Sequence, residues 1–105
     1  MHILGIIGSP RVRGNTERLV SEALKAAEDD GAETELLRLA DKEVKPCDYC
    51  RTCRKTGECR IKDDFKPIFD KMTEADGIVL ASPVYFGSAT PQIKALIDRA
   101  GYLSI

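Results

Sequence analysis

The sequence is short of several features that define whole classes of protein. Its 105 residues carry a formal net charge of only −1, so no long-range field would steer the chain toward nucleic acid, anionic lipid or an acidic partner. The longest apolar runs, at 3–7 and 78–81, fall far below the ~20 residues that a membrane-spanning helix needs. No basic leader or cleavage pattern accompanies the first apolar run, so we expect a cytoplasmic protein.

The sequence also has little of the usual acid and base chemistry. The one histidine, His2, lies at the start of an apolar run, where a structural role is expected. There is no Ser-His-Asp set and no carboxylate pair at a spacing that suggests hydrolysis. We therefore assign no catalytic residue.

Cysteine is absent except in one short segment. The four cysteines have the spacing C-x2-C-x2-C-x5-C, at Cys47, Cys50, Cys53 and Cys59. In a reducing compartment this grouping favours metal ligands over two disulfides. Three thiolates at i, i+3 and i+6 can surround one corner of a 4Fe-4S cluster, and a fourth can complete its ligation. Zinc is the main alternative, although four-cysteine zinc sites usually consist of two separated C-x2-C pairs. Four reduced structural thiols are the other alternative.

Basic residues are interleaved with these cysteines, at Arg51, Arg54, Lys55, Arg60 and Lys62. They would offset the negative charge of a thiolate-bound cluster and offer an acidic redox partner a docking surface. The alternative is an ordinary solvated, charged loop.

The first part of the chain predicts a strand, a helix and a second strand. Residues 1–8 form an almost unbroken apolar run, typical of a strand buried on both faces. After the turn-rich segment 8–16, helical spacing predicts a helix capped by Asn15 or Thr16 and closed by Gly31. Residues 33–39 read as a strand at the edge of a sheet.

Segment 40–62 has no sustained periodicity, and loops of that length are usually functional. A second helix follows, with Asp63 or Asp64 as its cap and its apolar stripe at Phe65, Ile68, Phe69 and Met72. Residues 77–82 read as a third strand. A third helix is predicted to begin with Thr90 as cap and to end before Gly101, its buried stripe being Ile93, Leu96, Ile97 and Ala100.

This order predicts one α/β domain, residues 1–105, with a doubly wound parallel sheet and a cysteine-rich loop, 40–62, between the second strand and the second helix. In such sheets ligands bind beyond the carboxyl ends of the strands. The loops after the first and third strands should therefore meet there.

The loop after the first strand suits a phosphate group. It runs into a helix N-terminus, and its glycines allow the backbone to approach a ligand closely. Short polar side chains and an arginine add donors, and the candidate residues are Ser9, Arg11, Gly14, Asn15 and Thr16. The alternative is an ordinary strand-to-helix turn.

The loop after the third strand suits a flat aromatic ligand. Tyr85 or Phe86 can lie along a ring, while the N–H groups of Gly87 and Ser88 can reach its heteroatoms. Pro83 begins the loop. The alternative is that these aromatic residues belong to the local core.

Taken together, segments 8–16 and 82–88, the cysteine motif and the helix through Asp98 and Arg99 resemble the iron-sulfur flavoproteins of anaerobic archaea and bacteria. These belong to the flavodoxin-like NAD(P)H-dependent FMN reductase superfamily. The resemblance implies FMN, with its phosphate at Ser9, Arg11, Asn15 and Thr16 and its isoalloxazine ring against residues 83 and 85–88. It also implies a 4Fe-4S cluster on the four cysteines, electrons received from a ferredoxin-like protein, and a homo-oligomer.

The resemblance implies a full five-stranded sheet, whereas this sequence contains only the βαβαβα half. We therefore expect a fragment, a truncated gene product or a half-domain completed by a partner, with oligomerisation through the exposed third strand. The leading functional prediction is electron transfer between a ferredoxin-like donor, the cluster and FMN. One alternative is an NAD(P)H-dependent FMN or quinone reductase whose cysteines bind zinc or are structural. The other is a non-catalytic fragment or interaction module.

Overall fold

Three parallel strands and four helices make up a computed structural model that describes residues 1–11 and 13–104. Positions 12 and 105 of the predicted domain lie outside the described residues. In chain order the elements are β1 His2–Ile7, α1 Asn15–Asp29, β2 Glu33–Arg38, α2 Thr52–Thr56, α3 Phe65–Glu74, β3 Gly77–Ala81 and α4 Pro91–Leu103. The strand order is β2-β1-β3. The predicted α/β class and parallel sheet are confirmed, and the four cysteines lie between β2 and α3.

The central strand β1 has a hydrophobic cluster on each face, as its continuous apolar sequence predicts. On one face Leu4 and Ile6 are fully buried against α3 and α4, with the side chains of Phe65, Ile68, Ile93 and Leu96 around them. On the other face Ile7 packs against Val20 and Leu24 of α1. The sheet is therefore enclosed between two helical layers.

Strand β3 is buried less completely than β1. Ile78 and Leu80 are each 43% exposed, although their partners in the register, Leu4 and Ile6, are fully buried. The described residues pair β3 only with β1, so its outer edge carries no strand. This leaves apolar side chains at the edge of the sheet.

Two predicted helix ends are confirmed. Gly31 has φ +95°, and its N–H donates to the Glu28 carbonyl while the N–H of Ala32 donates to that of Ala27. This is the double hydrogen bond that closes a helix through a left-handed residue. At the start of α4, the Thr90 hydroxyl accepts the N–H of Ile93 at 3.3 Å, and Pro91 follows in the first turn.

Other predicted details were wrong. The cap of α1 is Gly14, which has an extended backbone, whereas Asn15 and Thr16 are already helical. Helix α4 continues through Gly101 to Leu103, because Leu103 packs against the core and this offsets the low helix propensity of glycine. Ile97 is 43% exposed, so it does not belong to the buried stripe.

Between β2 and α3 lie two short helical pieces that periodicity did not reveal: a 3-10 helix, Leu39–Asp41, and α2. Both are too short to show a hydrophobic period. Among residues 1–11 and 13–104, no helix combines the length and the hydropathy needed to cross a membrane.

Candidate functional site

Backbone strain is concentrated in the three loops that the sequence singles out. Within the described ranges, four residues other than glycine have positive φ: Arg13, Tyr49, Arg51 and Phe86. Arg13 lies after β1, Phe86 lies after β3, and the other two flank Cys50. Such conformations cost of order 1–3 kcal/mol each and occur most often at functional sites. The rest of the fold must stabilise these loops.

The loop after β1 is arranged around a buried serine. Ser9 is 5% exposed, and its hydroxyl accepts the N–H of Arg11 at 3.0 Å. The Arg11 side chain lies next to Gly14, where a Cβ atom would be 3.5 Å from that of Arg11. No described side chain caps α1 at Gly14. The positive end of the α1 dipole and an arginine are thus close together, as a phosphate site requires.

The loop after β3 forms a tight turn. Tyr85 and Ser88 exchange two backbone hydrogen bonds, of 2.8 and 3.0 Å, and the two residues between them, Phe86 and Gly87, have positive φ. This combination defines a type I′ turn. The Phe86 side chain projects into solvent at its tip, so the structure does not place it in the local core.

The loops after β1 and β3 meet in one pocket, as the topology predicts. It is lined by all five predicted phosphate-loop residues and by Pro83 and Tyr85, namely Ser9, Arg11, Gly14, Asn15, Thr16, Pro83 and Tyr85. Phe86, Gly87 and Ser88 do not line it, and their assignment to a ligand stays a prediction. Seven of the ten residues predicted to bind the two ends of one ligand therefore line the same pocket.

A single threonine joins these two loops below the pocket. Thr90 is fully buried, and its hydroxyl donates to the Gly8 carbonyl at 2.6 Å. Its own N–H donates to the Ser82 hydroxyl at 3.0 Å. Gly8 must be glycine for this approach, because a Cβ there would lie 2.8 Å from the Cβ of Ile93. The end of β1 and the start of α4 are thus in direct contact.

A buried carboxylate fixes the other side of the first loop. Glu17 is 8% exposed and accepts two hydrogen bonds from Arg38 of β2, at 2.6 and 2.9 Å. It also accepts the N–H of Arg13 at 3.1 Å. The Arg38 hydrogen bond lowers the pKa of Glu17 to about 2, against the opposing effect of burial. The Arg38 charge therefore compensates this carboxylate, which would otherwise repel an anion at the start of α1.

All four cysteines line a second cavity. They are free thiols, and the cavity wall is completed by side chains that include Ile61 and three residues of α4, namely Arg99, Tyr102 and Leu103. Tyr102 packs edge-to-face against Tyr49 of the cysteine-rich loop, with ring centroids 5.6 Å apart. The carboxyl-terminal end of α4 is thus one wall of the cysteine site.

Several groups around this cavity suit thiolate ligands. The N–H of Tyr49 donates to Cys47 Sγ at 3.4 Å. Hydrogen bonds from the Thr52 hydroxyl and N–H lower the pKa of Cys50, which favours its thiolate. A salt bridge joins Arg60 to Asp48 within the same loop.

The four thiols are the candidate metal ligands of this cavity. Tetrahedral zinc with Zn–S bonds of 2.3 Å brings its sulfur ligands within about 3.8 Å of one another. Across the described part of the chain, no three His, Cys, Asp or Glu side chains converge in a way that would hold a metal ion. The four cysteines line one cavity with apolar side chains and an N–H donor to Cys47 Sγ, surroundings that suit the thiolate ligands of either an iron-sulfur cluster or zinc.

A buried ion pair lies between the cysteine-rich loop and α4. Arg99 Nη1 and Asp63 Oδ2 are 2.7 Å apart, and the two side chains are 1% and 0% exposed. Burial raises the pKa of Asp63, but its hydrogen bonds, chiefly from Arg99, outweigh burial and lower it overall. Asp63 is therefore charged and paired.

Sequence reasoning missed the Glu17–Arg38 pair and the role of Arg99. Arg99 had a signal, because it occupies a position of the apolar stripe that runs through Leu96, Ala100 and Leu103. A charged residue on a buried helix face usually has a buried partner. Glu17 had no comparable signal, since acidic residues are common in the first turn of any helix.

A doubly wound parallel sheet with a polar pocket at the carboxyl ends of two adjacent strands defines a flavodoxin-like α/β domain. The sequence model of the family described as NADPH-dependent FMN reductase matches residues 1–104, and the chain belongs to that family.

Two curated relatives are named iron-sulfur flavoprotein. The relative from Methanocaldococcus jannaschii is 53% identical over 105 residues, which is 100% of this chain and 54% of the relative. The relative from Methanosarcina thermophila is 45% identical over 100 residues, covering 95% of this chain and 52% of the relative. The chain thus spans about half the length of these proteins, as expected from its resemblance to a family with a larger sheet.

The solved structure of a flavone reductase matches this fold with a TM-score of 0.77 at 34% identity. The match covers 96% of this chain and 30% of that protein. The family is therefore shown by sequence, and the fold by the structural match.

Proposed function

We propose that this chain carries the cofactor-binding region of an electron-transfer iron-sulfur flavoprotein. The observation that carries the proposal is that all four cysteines, spaced C-x2-C-x2-C-x5-C, line one cavity in a domain of the FMN reductase family. Two relatives that bear the iron-sulfur flavoprotein name, 53% and 45% identical to this chain over about half of their own length, support it. When bound, FMN supplies one- or two-electron chemistry and a 4Fe-4S cluster supplies one-electron chemistry.

The pocket between the loops after β1 and β3 would hold FMN. Arg11, the Ser9 hydroxyl and the N-terminus of α1 would bind its phosphate, with Asn15 and Thr16 as further donors. Gly14 lets the backbone approach. The isoalloxazine ring would lie against Pro83 and Tyr85, and the turn at residues 86–88 would cover its edge.

The cavity of the cysteine-rich loop would hold the cluster on Cys47, Cys50, Cys53 and Cys59. Ile61, Leu103 and the tyrosine pair would limit the access of water, and N–H donors to sulfur would stabilise the reduced state. The strained residues on either side of Cys50 would hold its thiolate toward the cavity.

Two kinds of partner follow from the surfaces. Exposed Lys55 and Lys62 lie in the cysteine-rich loop and would attract an acidic, ferredoxin-like donor. Ile78 and Leu80, at the open edge of β3, would be covered by a further strand, from a second copy in a homo-oligomer or from the rest of a complete sheet.

A second candidate function is an NAD(P)H-dependent FMN or quinone reductase that binds flavin without a cluster. It is favoured by the family match, because the family is described as NADPH-dependent FMN reductase. In that case the cysteines would bind zinc or be structural.

Metal, sulfide and flavin analysis of protein purified without oxygen, with its mass in solution, tests the proposal. About four iron and four sulfide per chain together with FMN is the expected result. FMN with zinc or without any metal would replace the proposal with the reductase. A monomer without cofactors would indicate a non-catalytic fragment.

Two single substitutions assign the sites separately. Cys50→Ala should abolish the absorbance of the cluster near 400 nm and leave FMN bound. Arg11→Ala should weaken FMN and leave the iron content unchanged, while Arg18→Ala, an exposed arginine on α1 that does not line the FMN pocket, should change neither. If each of the first two variants loses both cofactors, the loss reflects misfolding rather than two independent sites.

A further inference from the structure

Arg99 makes a set of contacts with groups outside its own helix, α4. Its guanidinium lies 4.3 Å from the ring centroid of Phe65 and is paired with Asp63. Its Nε atom has no partner among the described groups. The side chain is therefore oriented by what its two terminal nitrogens bind.

Those nitrogens bind both ends of the cysteine-rich loop. Nη1 donates to the Lys45 carbonyl at 3.1 Å, two residues before the first cysteine. Nη2 donates to the Ile61 carbonyl at 3.4 Å, two residues after the last cysteine. One guanidinium thus links the two backbone segments between which the cysteines lie.

Asp63 strengthens the same closure. Its Oδ2 accepts the N–H of Lys45 at 2.8 Å as well as the Arg99 donor. Its Oδ1 accepts the N–H of Phe65 at 3.0 Å and so fixes the loop to the start of α3. The ion pair therefore joins the loop, α3 and α4 at one buried point.

The fourth contact reaches a cysteine directly, since Arg99 Nη2 lies 3.4 Å from Cys59 Sγ. Cys59 is also the cysteine most separated from the others in sequence. A buried cation that donates to a ligand sulfur stabilises the more negative, reduced state of a bound cluster.

We propose that Arg99, held by Asp63, is the positioning residue of the cysteine-rich loop, and that it closes the loop, orients the Cys59 thiolate and raises the reduction potential of the bound cluster. The effect on the potential rests on the proposed function, whereas the closure of the loop does not. The two parts can therefore be tested separately.

The potential is measured on anaerobic protein with its cluster, by redox titration followed spectroscopically. Arg99→Met should favour the oxidised cluster by about tenfold at fixed potential, a downward shift of about 59 mV for a one-electron couple. Arg18→Met is the matched control, because Arg18 is an exposed arginine of α1, which packs on the face of the sheet opposite to α4. An unchanged potential in Arg99→Met, or an equal shift in Arg18→Met, would overturn the assignment.

Closure of the loop is measured on the chain without cofactor, by amide hydrogen exchange in residues 46–60. Arg99→Met should accelerate exchange there by about tenfold or more relative to the sheet. Leu24→Ala controls for a general loss of stability, because Leu24 packs on the opposite face of the sheet. Equal acceleration in both variants would show that Arg99 contributes only to global stability and would refute the closure.

Arg99→Lys keeps the test decisive if the methionine variant fails to fold. The lysine retains the charge, but its single ammonium cannot bind both backbone carbonyls, the Asp63 carboxylate and the Cys59 sulfur at the same time. The potential should stay close to that of the wild type while the loop still exchanges faster. If the wild-type protein contains no iron, the proposed function is refuted but the closure of the loop is not, because hydrogen exchange tests the closure without a cofactor.

Discussion

Thr90 offers the sharpest test of how the loops after β1 and β3, which line the candidate FMN pocket, are held together. The change Thr90→Val keeps the volume and the branched shape of the side chain but removes its hydroxyl. That hydroxyl makes two bonds in a fully buried position: it donates to the Gly8 carbonyl at 2.6 Å and accepts the N–H of Ile93 at 3.3 Å. Both partners would be left without a hydrogen bond.

The magnitude follows from these two losses. Removal of the helix cap costs about 1 kcal/mol. A buried carbonyl left without its donor costs about 1–3 kcal/mol more. No cavity forms, so we expect the free energy of unfolding to fall by about 2–4 kcal/mol. With an urea m-value of ~2 kcal/mol per molar, the unfolding midpoint would drop by roughly 1–2 M.

The assay is equilibrium urea unfolding, followed by circular dichroism at a fixed protein concentration. Thr90→Ser keeps the hydroxyl and should retain most of the lost stability. Thr73→Val, at an exposed position of α3, should change the free energy by no more than about 0.5 kcal/mol. A loss below about 0.5 kcal/mol in Thr90→Val would refute the view that this hydroxyl joins the two loops.

Three further predictions follow from the same structure. The carboxyl of Glu17 has an ordinary pKa of 4.5 and a folded-state pKa of about 2. Its stabilising effect is therefore complete above pH 4.5 and is lost as the pH falls toward 2. Glu17→Gln should flatten this pH dependence of stability in urea midpoints measured from pH 2 to 6. Gly8→Ala should destabilise the fold by about 1–3 kcal/mol, because the new Cβ would lie 2.8 Å from that of Ile93; a variant as stable as the wild type in thermal unfolding would contradict this. Leu80→Lys should convert a homo-oligomer formed through the β3 edge into a monomer, and an unchanged mass in light scattering would exclude that edge as the interface.

The fold was predictable because its strong signals are local. The apolar run of β1 and the i, i+3, i+4, i+7 stripe of α3 specify a buried strand and an amphipathic helix without reference to the rest of the chain. Gly31 and Thr90 act through bonds within a few residues, and both were identified correctly. Short-range chemistry of this kind can be read from the sequence.

Two of the parts that failed depend on distant contacts. Gly101 does not end α4, because the helix continues to Leu103, which packs against the core. The Arg99–Asp63 pair joins residues 36 positions apart, and no periodicity records such a pairing. The pocket of the two loops was predictable from topology, because parallel strands bring their carboxyl ends to one edge. The outward orientation of Phe86 was not predictable in this way, because it depends on a positive φ that is unusual for a residue other than glycine.

Helix α4 has a consequence for how the sequence can change over time. Its first residues are fixed by Thr90 against β1, and Arg99 engages the cysteine-rich loop from the same helix. Each residue of an α-helix adds about 1.5 Å of rise and 100° of rotation. One inserted or deleted residue between these two positions would turn Arg99 to another side of the helix and disconnect it from the loop. We therefore expect length changes among related proteins to accumulate in the loops, while the interval from Thr90 to Arg99 keeps a constant number of residues.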